Sequence, residues 1–151
     1  MKKIKLFSAL IISSLFFVAC DRDELIEIKK GQGGGLFELS ENGKVYKTAD
    51  GDESYRVDTV NFLSLDLVKE VIRKRQDDET GFYQLNFNFN PVGTTKFKEM
   101  TERNLDKKII MIVKDKVIMS PVVRTIIADG KVSVTLTSQD ELEELISNLI
   151  Y

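Results

Sequence analysis

The stretch that decides the fold is Ile109-Ile110-Met111-Ile112-Val113-Lys114-Asp115-Lys116-Val117-Ile118-Met119-Ser120-Pro121. It opens with five apolar residues, and so short a run favours a β-strand covered on both faces over a helix. The polar break at residues 114–116 predicts a tight turn, so the two apolar runs should pair as a hairpin. Pro121 has no N–H to donate to a sheet, which predicts that it lies at a strand end or edge.

The first twenty residues have the pattern of an export signal. Lys2, Lys3 and Lys5 precede an apolar core at residues 6–18, which is too short to span a bilayer comfortably. Phe17-Val18-Ala19-Cys20 resembles a bacterial lipobox, which implies cleavage before Cys20 and attachment there of acyl chains such as palmitate. A plain secretory signal with an incidental cysteine, or a short uncleaved anchor, is the alternative.

We therefore divide the chain into a lipoprotein signal peptide (1–19), a lipidated Cys20 with a flexible tether (20–35) and a folded domain (36–151). The glycine-rich residues 31–35 favour a spacer, and they lack the Lys-Ser/Thr that would follow in a phosphate-binding loop. The membrane is the predicted partner through the lipid on Cys20. The expected location is the cell envelope, lipid-anchored to the outer membrane, on its periplasmic or surface-exposed side.

Composition narrows the chemistry. The chain has no histidine or tryptophan, and its one cysteine, once acylated, leaves no thiol for a disulfide or a nucleophile. A net charge of −2 gives no overall reason to bind nucleic acid. The acidic loop at residues 50–53 lacks the ligand pattern of a calcium-binding loop. We predict no cofactor, no metal and no nucleic-acid partner.

The sequence of the first half of the domain predicts several strands and one helix. Asn42-Gly43 favours a hairpin turn between residues 36–39 and 44–47. Residues 57–63 should form the next strand. Ser64 is a candidate N-cap for a helix through Lys74 that would bury one apolar stripe.

The second half continues with a strand at residues 83–89, where apolar and polar side chains alternate. Its asparagine face is either solvated, which we favour, or a surface for a glycan or peptide. The sequence Asn90-Pro91 starts a helix to about residue 104. That helix should pack through three apolar side chains, Val92, Phe97 and Met100.

After the central hairpin, residues 122–127 predict a strand, and Asp129-Gly130 turns the chain into another at residues 132–136. Ser138 and Glu141 form the pattern of a capping box at the start of a final helix. That helix should bury five apolar side chains, Leu142, Leu145, Ile146, Leu149 and Ile150. The expected fold class is α+β, a two-layer sandwich with a mostly antiparallel sheet and helices packed on one face.

The second half of the domain resembles the head subdomain of the first periplasmic domain of SecD and SecDF, which are accessory subunits of the Sec protein-export machinery. The resemblance is carried by four features that occur in the same order, namely residues 97–101, 116–123, Gly130 and 138–145. The resemblance implies a mobile module that holds an emerging preprotein. Where that family usually has Asp-Gly at the hairpin tip, this chain has Lys114-Asp115, so Asp115 should adopt a left-handed conformation. The family's membrane helices and proton-carrying carboxylate have no counterpart in these residues, so we do not expect a proton-driven motor.

Three functions remain open. The first is a non-enzymatic, lipid-anchored module that binds an unfolded polypeptide or another envelope protein by strand addition. Its candidate edge consists of Val122, Val123, Arg124, Thr125, Ile126 and Ile127. The second is a passive subunit of an envelope complex. The third is a carboxylate-dependent hydrolase, with acids at Glu141, Glu143 and Glu144 or at residues 77–79, which would need two environments that separate their pKa values. We predict that the protein is not an enzyme.

Overall fold

A computed structural model describes residues 23–74 and 76–151, so the predicted signal peptide and Cys20 lie outside the described residues. The elements are β1 (Glu24–Ile26), β2 (Gly34–Lys47), β3 (Ser54–Ser64), a 3-10 turn (Leu65–Leu67), β4 (Val68–Lys74), β5 (Tyr83–Phe89), α1 (Pro91–Arg103), β6 (Ile109–Val113), β7 (Lys116–Met119), β8 (Lys131–Leu136) and α2 (Gln139–Ile150).

The strands form two antiparallel four-stranded sheets rather than one. The first sheet has the order β1-β4-β5-β8, and the second has the order β3-β2-β6-β7. The larger hydrophobic core combines side chains from both sheets and both helices. The α+β fold class is confirmed, and neither helix is long and apolar enough to cross a membrane in the part of the chain that the structure describes.

Strand β5 shows how the first sheet meets the core. Leu85, Phe87 and Phe89 are buried, whereas Asn86 and Asn88 between them are partly exposed, as the period-two pattern predicts. The asparagine side chains bond to neighbours on the same face. Asn86 Oδ1 accepts a hydrogen bond from the Ser133 hydroxyl at 2.8 Å, and Asn88 Nδ2 donates to Glu70 at 2.9 Å.

The predicted hairpin is confirmed as β6 and β7, and all five residues of β6 are buried. Ile109, Met111 and Val113 point into the main core. Ile110 and Ile112 point into a smaller cluster on the other side of the second sheet, so both faces of β6 are covered. At the hairpin tip Lys114 and Asp115 have φ values of 46° and 63°, the left-handed pair that a type I′ turn requires.

The second sheet bends round the smaller cluster. The first residues of β2 pair with β6, and Thr48, just beyond the end of β2, makes a parallel bridge to Val117 of β7. The sheet thereby encloses apolar side chains from all four of its strands, namely Phe37, Tyr55, Val57, Ile110, Ile112 and Val117. This closure also covers the outer edge of β7 at Val117.

The predicted hairpin turn at Asn42-Gly43 is wrong. Strand β2 continues through both residues, and the chain reverses in the loop after Lys47, where Gly51 has a φ of 78°. Residues 40–43 form a bulge in β2, because Leu39 and Lys44 on either side of them both lie opposite Val57. A Cβ on Gly43 would lie only 1.7 Å from the Val57 carbonyl oxygen, so this glycine permits close approach of two strands rather than a turn.

The predicted helix at residues 64–74 is also wrong. Ser64 does cap, since its hydroxyl accepts the Asp66 N–H at 3.1 Å, but the helical segment is a single 3-10 turn. The chain then becomes β4, which pairs with β1 and β5. The β-branched residues Val68, Val71 and Ile72 suit this strand, and their long-range pairing overrides the helical spacing.

The predicted flexible tether is corrected over its described part, residues 23–35. Residues 24–26 already form β1, and the Gly31 N–H donates to Asp66 Oδ1 at 2.7 Å. Gly34 and Gly35 are buried at the start of β2. A Cβ on Gly35 would lie 2.3 Å from the Leu63 carbonyl oxygen, so strand packing rather than flexibility explains this glycine.

The two helix starts are confirmed. Asn90 caps α1 by accepting the Gly93 N–H at 2.8 Å, and Ser138 and Glu141 form the reciprocal capping box of α2. The predicted packing of α1 through Val92 is wrong, since Val92 is 56% exposed and Gly93 takes the buried position. Phe97 and Met100 are buried as predicted. The buried residues of α2 are Leu142, Leu145, Ile146 and Leu149, with Ile150 partly buried.

Candidate functional site

Residues 122–127, the predicted binding edge, do not form a strand. Their one strand-like pairing is an isolated bridge between Val122 and Lys108. The backbone groups of Val123 bond to the loop after α1, with its N–H donating to the Lys107 carbonyl at 2.9 Å. The Ile127 N–H donates to the buried Thr101 hydroxyl at 3.0 Å. These bonds to a loop and a side chain replace a ladder, so the strand prediction is wrong.

The same segment instead forms one wall of an apolar cavity of about 240 Å³. The cavity lies between residues 121–127, the end of β7 and the start of β8. Its apolar lining includes Leu36, Phe97, Ile109, Met119, Val123 and Ile127. Arg124 and Lys131 also line it, and none of its lining residues is acidic. Arg124 forms an exposed ion pair with Asp106 at 3.0 Å.

A second, more polar cavity of about 310 Å³ lies at the other ends of the same two strands. It is lined by residues 116–118 of β7, by residues 135–137 and by α2. Lys116 and Glu144, which both line it, form an ion pair across it. The two cavities share no lining residue, and we refer to them together, with the edge of β8 that borders both, as the edge groove.

Strand β8 borders the edge groove with an open side. In the described part of the chain it pairs with β5 alone. The Phe89 N–H donates to the Gly130 carbonyl at 2.9 Å, and this bond fixes which residues of the ladder are hydrogen-bonded. Val132 and Val134 therefore bond to β5, while the backbone N–H and C=O of Ser133 and Thr135 point away from it. Sequence reasoning identified the strand but missed this edge, because edge position depends on long-range pairing.

Two of the acidic residues proposed for a hydrolase, Glu141 and Glu144, line the polar cavity, but Glu144 is paired with Lys116 there. Glu143 forms an ion pair with Arg73 at 3.0 Å, and Glu141 serves the α2 cap. The Thr137 N–H and hydroxyl donate to the Glu141 carboxylate and hold its pKa below the ordinary value. Hydrogen bonds from Thr80 and Glu79 likewise lower the pKa of Asp77. A general acid needs the opposite shift, so these groups are placed for structure.

A polar cluster that the sequence did not reveal lies at the base of the central hairpin. The Lys108 ammonium donates to the Tyr55 hydroxyl at 3.3 Å, and the Ser120 hydroxyl lies within hydrogen-bond distance of the same oxygen. Serine with a lysine base can be nucleophilic in other folds. Here none of the three residues lines a cavity described above, so the cluster joins β3 to the hairpin. The described residues also contain no group of acidic side chains arranged to hold a metal ion.

Comparison with known proteins identifies the domain. The family model described as the SecDF P1 head subdomain matches residues 43–149. A SecD protein translocase subunit of Acetobacter pasteurianus is 37% identical over 59 residues, which are 39% of this chain and 11% of that protein. The SecDF protein translocase subunit of Thermus thermophilus is 32% identical over 69 residues, or 45% of this chain and 9% of that protein. The chain therefore matches about a tenth of the length of these relatives.

Two solved structures share the fold. One is described as SecDF, a membrane component that enhances protein export, and matches with a TM-score of 0.58 and 18% identity over 76% of this chain and 60% of that chain. A crystal structure of SecDF in a super-membrane-facing form matches with a TM-score of 0.55 and 18% identity over 78% of this chain and 19% of that chain. The resemblance seen in the sequence is confirmed. The chain belongs to the SecDF P1 head subdomain family.

Proposed function

We propose that the protein is a lipid-anchored, non-catalytic component of the bacterial cell envelope that binds polypeptide in the edge groove. The observation that carries this proposal is the open side of β8 beside an apolar cavity. Backbone donors and acceptors along a strand edge suit an extended chain, and an adjacent apolar cavity suits one of its side chains. The names of the relatives, translocase subunits and a component that enhances protein export, are consistent with a polypeptide partner.

The membrane part of the proposal rests on Cys20 and the lipobox-like residues before it. Cleavage before Cys20 would leave the protein attached to the membrane by acyl chains, for which more than one chain is needed. Labelling with a radioactive or alkyne-tagged palmitate in a bacterial host tests this step. We expect label on the wild type and none on Cys20→Ala. Equal labelling of both proteins, or none on either, would contradict lipid anchoring.

Polypeptide binding is tested with the complete protein purified from membranes in detergent. We expect it to bind a chemically unfolded envelope protein at micromolar concentration and to bind the same protein weakly once that protein has folded, because folding removes the extended backbone. Anisotropy of a fluorophore on the unfolded protein measures the difference. Failure to bind the unfolded form, together with co-purification of one fixed folded partner, would favour a passive subunit instead.

A further inference from the structure

The four edges of the two sheets differ in how well they are protected. Strand β1 is only three residues long. Strand β3 is kinked where the Asp58 carboxylate accepts the N–H groups of Val60 and Asn61 at 2.8 and 3.1 Å. Strand β7 is covered at Val117 by the bridge from Thr48. Short strands, bulges and covering segments are the usual ways of blocking an edge.

Strand β8 has none of these protections. Its six residues pair with β5 in an unbroken register from Lys131 to Leu136. The N–H groups of Ser133 and Thr135 and their carbonyls point towards the side that borders the edge groove. A regular edge of this length is complementary to another extended backbone.

The two faces of β8 set the side-chain pattern of such a backbone. Val132 and Val134 point into the main core, and Val132 also lines the apolar cavity. The Ser133 side chain lies on the opposite face, where its hydroxyl donates to Asn86, while the residue also borders the cavity at the edge of the strand. A strand added to β8 would alternate in the same way, with apolar side chains towards the cavity and polar side chains on the asparagine face.

Charge adds a second preference. Arg124 and Lys131 line the apolar cavity, and its lining contains no carboxylate. Arg124 already forms an ion pair with exposed Asp106, whereas Lys131 has no ion pair among the described residues. Both ammonium and guanidinium groups favour an acidic partner. A ligand with carboxylates beside its apolar residue would therefore be complementary to this end of the groove.

We propose that β8 is the docking strand and that its ligand is an extended polypeptide segment, added to the first sheet, with a bulky apolar side chain in the apolar cavity and acidic residues beside it. This inference rests on the proposed function and names the ligand class and the pairing strand. Strand β8 thus takes the place of residues 122–127 as the proposed pairing edge, and those residues form a wall of the apolar cavity.

The test uses the complete protein in detergent and fluorescent ten-residue peptides with a central phenylalanine flanked by glutamates or by lysines. Ser133→Pro removes an N–H that bonds nothing in β5, so the fold should tolerate it at this edge. We expect Ser133→Pro to weaken binding of the glutamate-flanked peptide at least tenfold and Ser133→Ala, which keeps the N–H, to change it less than twofold. Circular dichroism of both variants is the control for folding.

A charge variant keeps the test informative if Ser133→Pro fails to fold. We expect Lys131→Glu to lower the affinity for the glutamate-flanked peptide about fivefold and to raise that for the lysine-flanked peptide. The matched control is Lys96→Glu on α1, which lines a different cavity beside β3 and should change neither affinity more than twofold. Equal effects of the two substitutions would overturn the charge preference.

Hydrogen exchange measures directly whether the peptide pairs with β8. The amides of Ser133 and Thr135 should exchange quickly in the protein alone and become protected when the glutamate-flanked peptide binds. Binding that leaves these two amides fast, or is unchanged in Ser133→Pro, overturns the docking strand while polypeptide binding itself stands. If the wild type binds neither the peptides nor an unfolded protein, the proposed function fails as well.

Discussion

The hydroxyl oxygens of Tyr55 and Ser120 lie 3.0 Å apart although 65 residues separate them in the chain. Tyr55 belongs to the start of β3, and Ser120 directly follows β7. The Glu53 carboxylate and the Lys108 ammonium bond to the same phenolic oxygen. One partly buried hydroxyl therefore joins β3 to the residues that precede β6 and follow β7.

We predict that Tyr55→Phe destabilises the fold by about 1 kcal/mol, because the partners of the hydroxyl lose one hydrogen-bonding group while the ring still fills the smaller cluster. Chemical unfolding followed by circular dichroism measures the change. Tyr83→Phe on β5 is the matched control, since the Tyr83 hydroxyl belongs to no such cluster, and it should cost less than about 0.5 kcal/mol. Equal losses from the two substitutions would contradict a role for the cluster.

At the hairpin tip we expect a substitution that stabilises the fold. Asp115 has a φ of 63°, which glycine adopts without the steric cost that other residues bear. Asp115→Gly should therefore stabilise the protein by roughly 0.5 kcal/mol, after allowance for an exposed ion pair with Lys44 that is worth little. Asp115→Ala should destabilise it by about 1 kcal/mol. Thermal unfolding of both variants tests the prediction, and a lower midpoint for Asp115→Gly than for Asp115→Ala would refute it.

Gly93 reverses an ordinary rule about helices. Replacing a glycine in a helix by alanine usually stabilises, by about 1 kcal/mol in the interior and by less in the first turn, where Gly93 lies. Here a Cβ would lie 2.9 Å from the Phe89 ring and 3.0 Å from Leu67, so Gly93→Ala should instead destabilise by roughly 1–3 kcal/mol. Thr95→Ala, at an exposed position of α1, is the control and should be neutral or slightly stabilising. Urea unfolding of both variants decides the sign.

The α2 capping box predicts a dependence on pH. The folded-state pKa of Glu141 is lower than its ordinary value of 4.5, because Thr137 and Ser138 donate to the ionised carboxylate. The stabilisation is therefore complete above pH 4.5 and is lost as the pH falls through the folded-state pKa. The difference in unfolding midpoint between wild type and Glu141→Gln should shrink as the solution is acidified below pH 4.5. A difference that stays constant throughout would contradict this account.

Sequence patterns predicted the elements whose signal is local. Continuous apolar residues identified β6, strict alternation identified β5, and the spacing of Ser138 and Glu141 identified the start of α2. Each of these signals is decided by neighbours within a few residues. The left-handed conformation expected for Asp115 is also confirmed, and Lys114 shares it.

The errors came from segments whose conformation depends on distant partners. Residues 64–74 have helical spacing, but pairing with β1 and β5 makes most of them a strand. Asn42-Gly43 has the composition of a turn, but β3 continues beside it and residues 40–43 form a bulge in β2. Residues 122–127 bond to a loop and to Thr101 rather than to a strand. For the same reason the open edge of β8 became visible only from the pairing of the whole sheet.

The order of strands in the first sheet has a geometric consequence for a protein anchored at Cys20. Only three residues separate that cysteine from Glu24, the first residue of β1. Four steps of chain reach at most about 14 Å, so lipidation would hold the first residue of β1 within that distance of the acylated cysteine. Strand β8 is at the far side of the same sheet, about 14 Å from β1 at the usual strand spacing. The tether would therefore be attached on the side of the sheet opposite the groove, so attachment to the membrane would not by itself place the groove against the lipid headgroups.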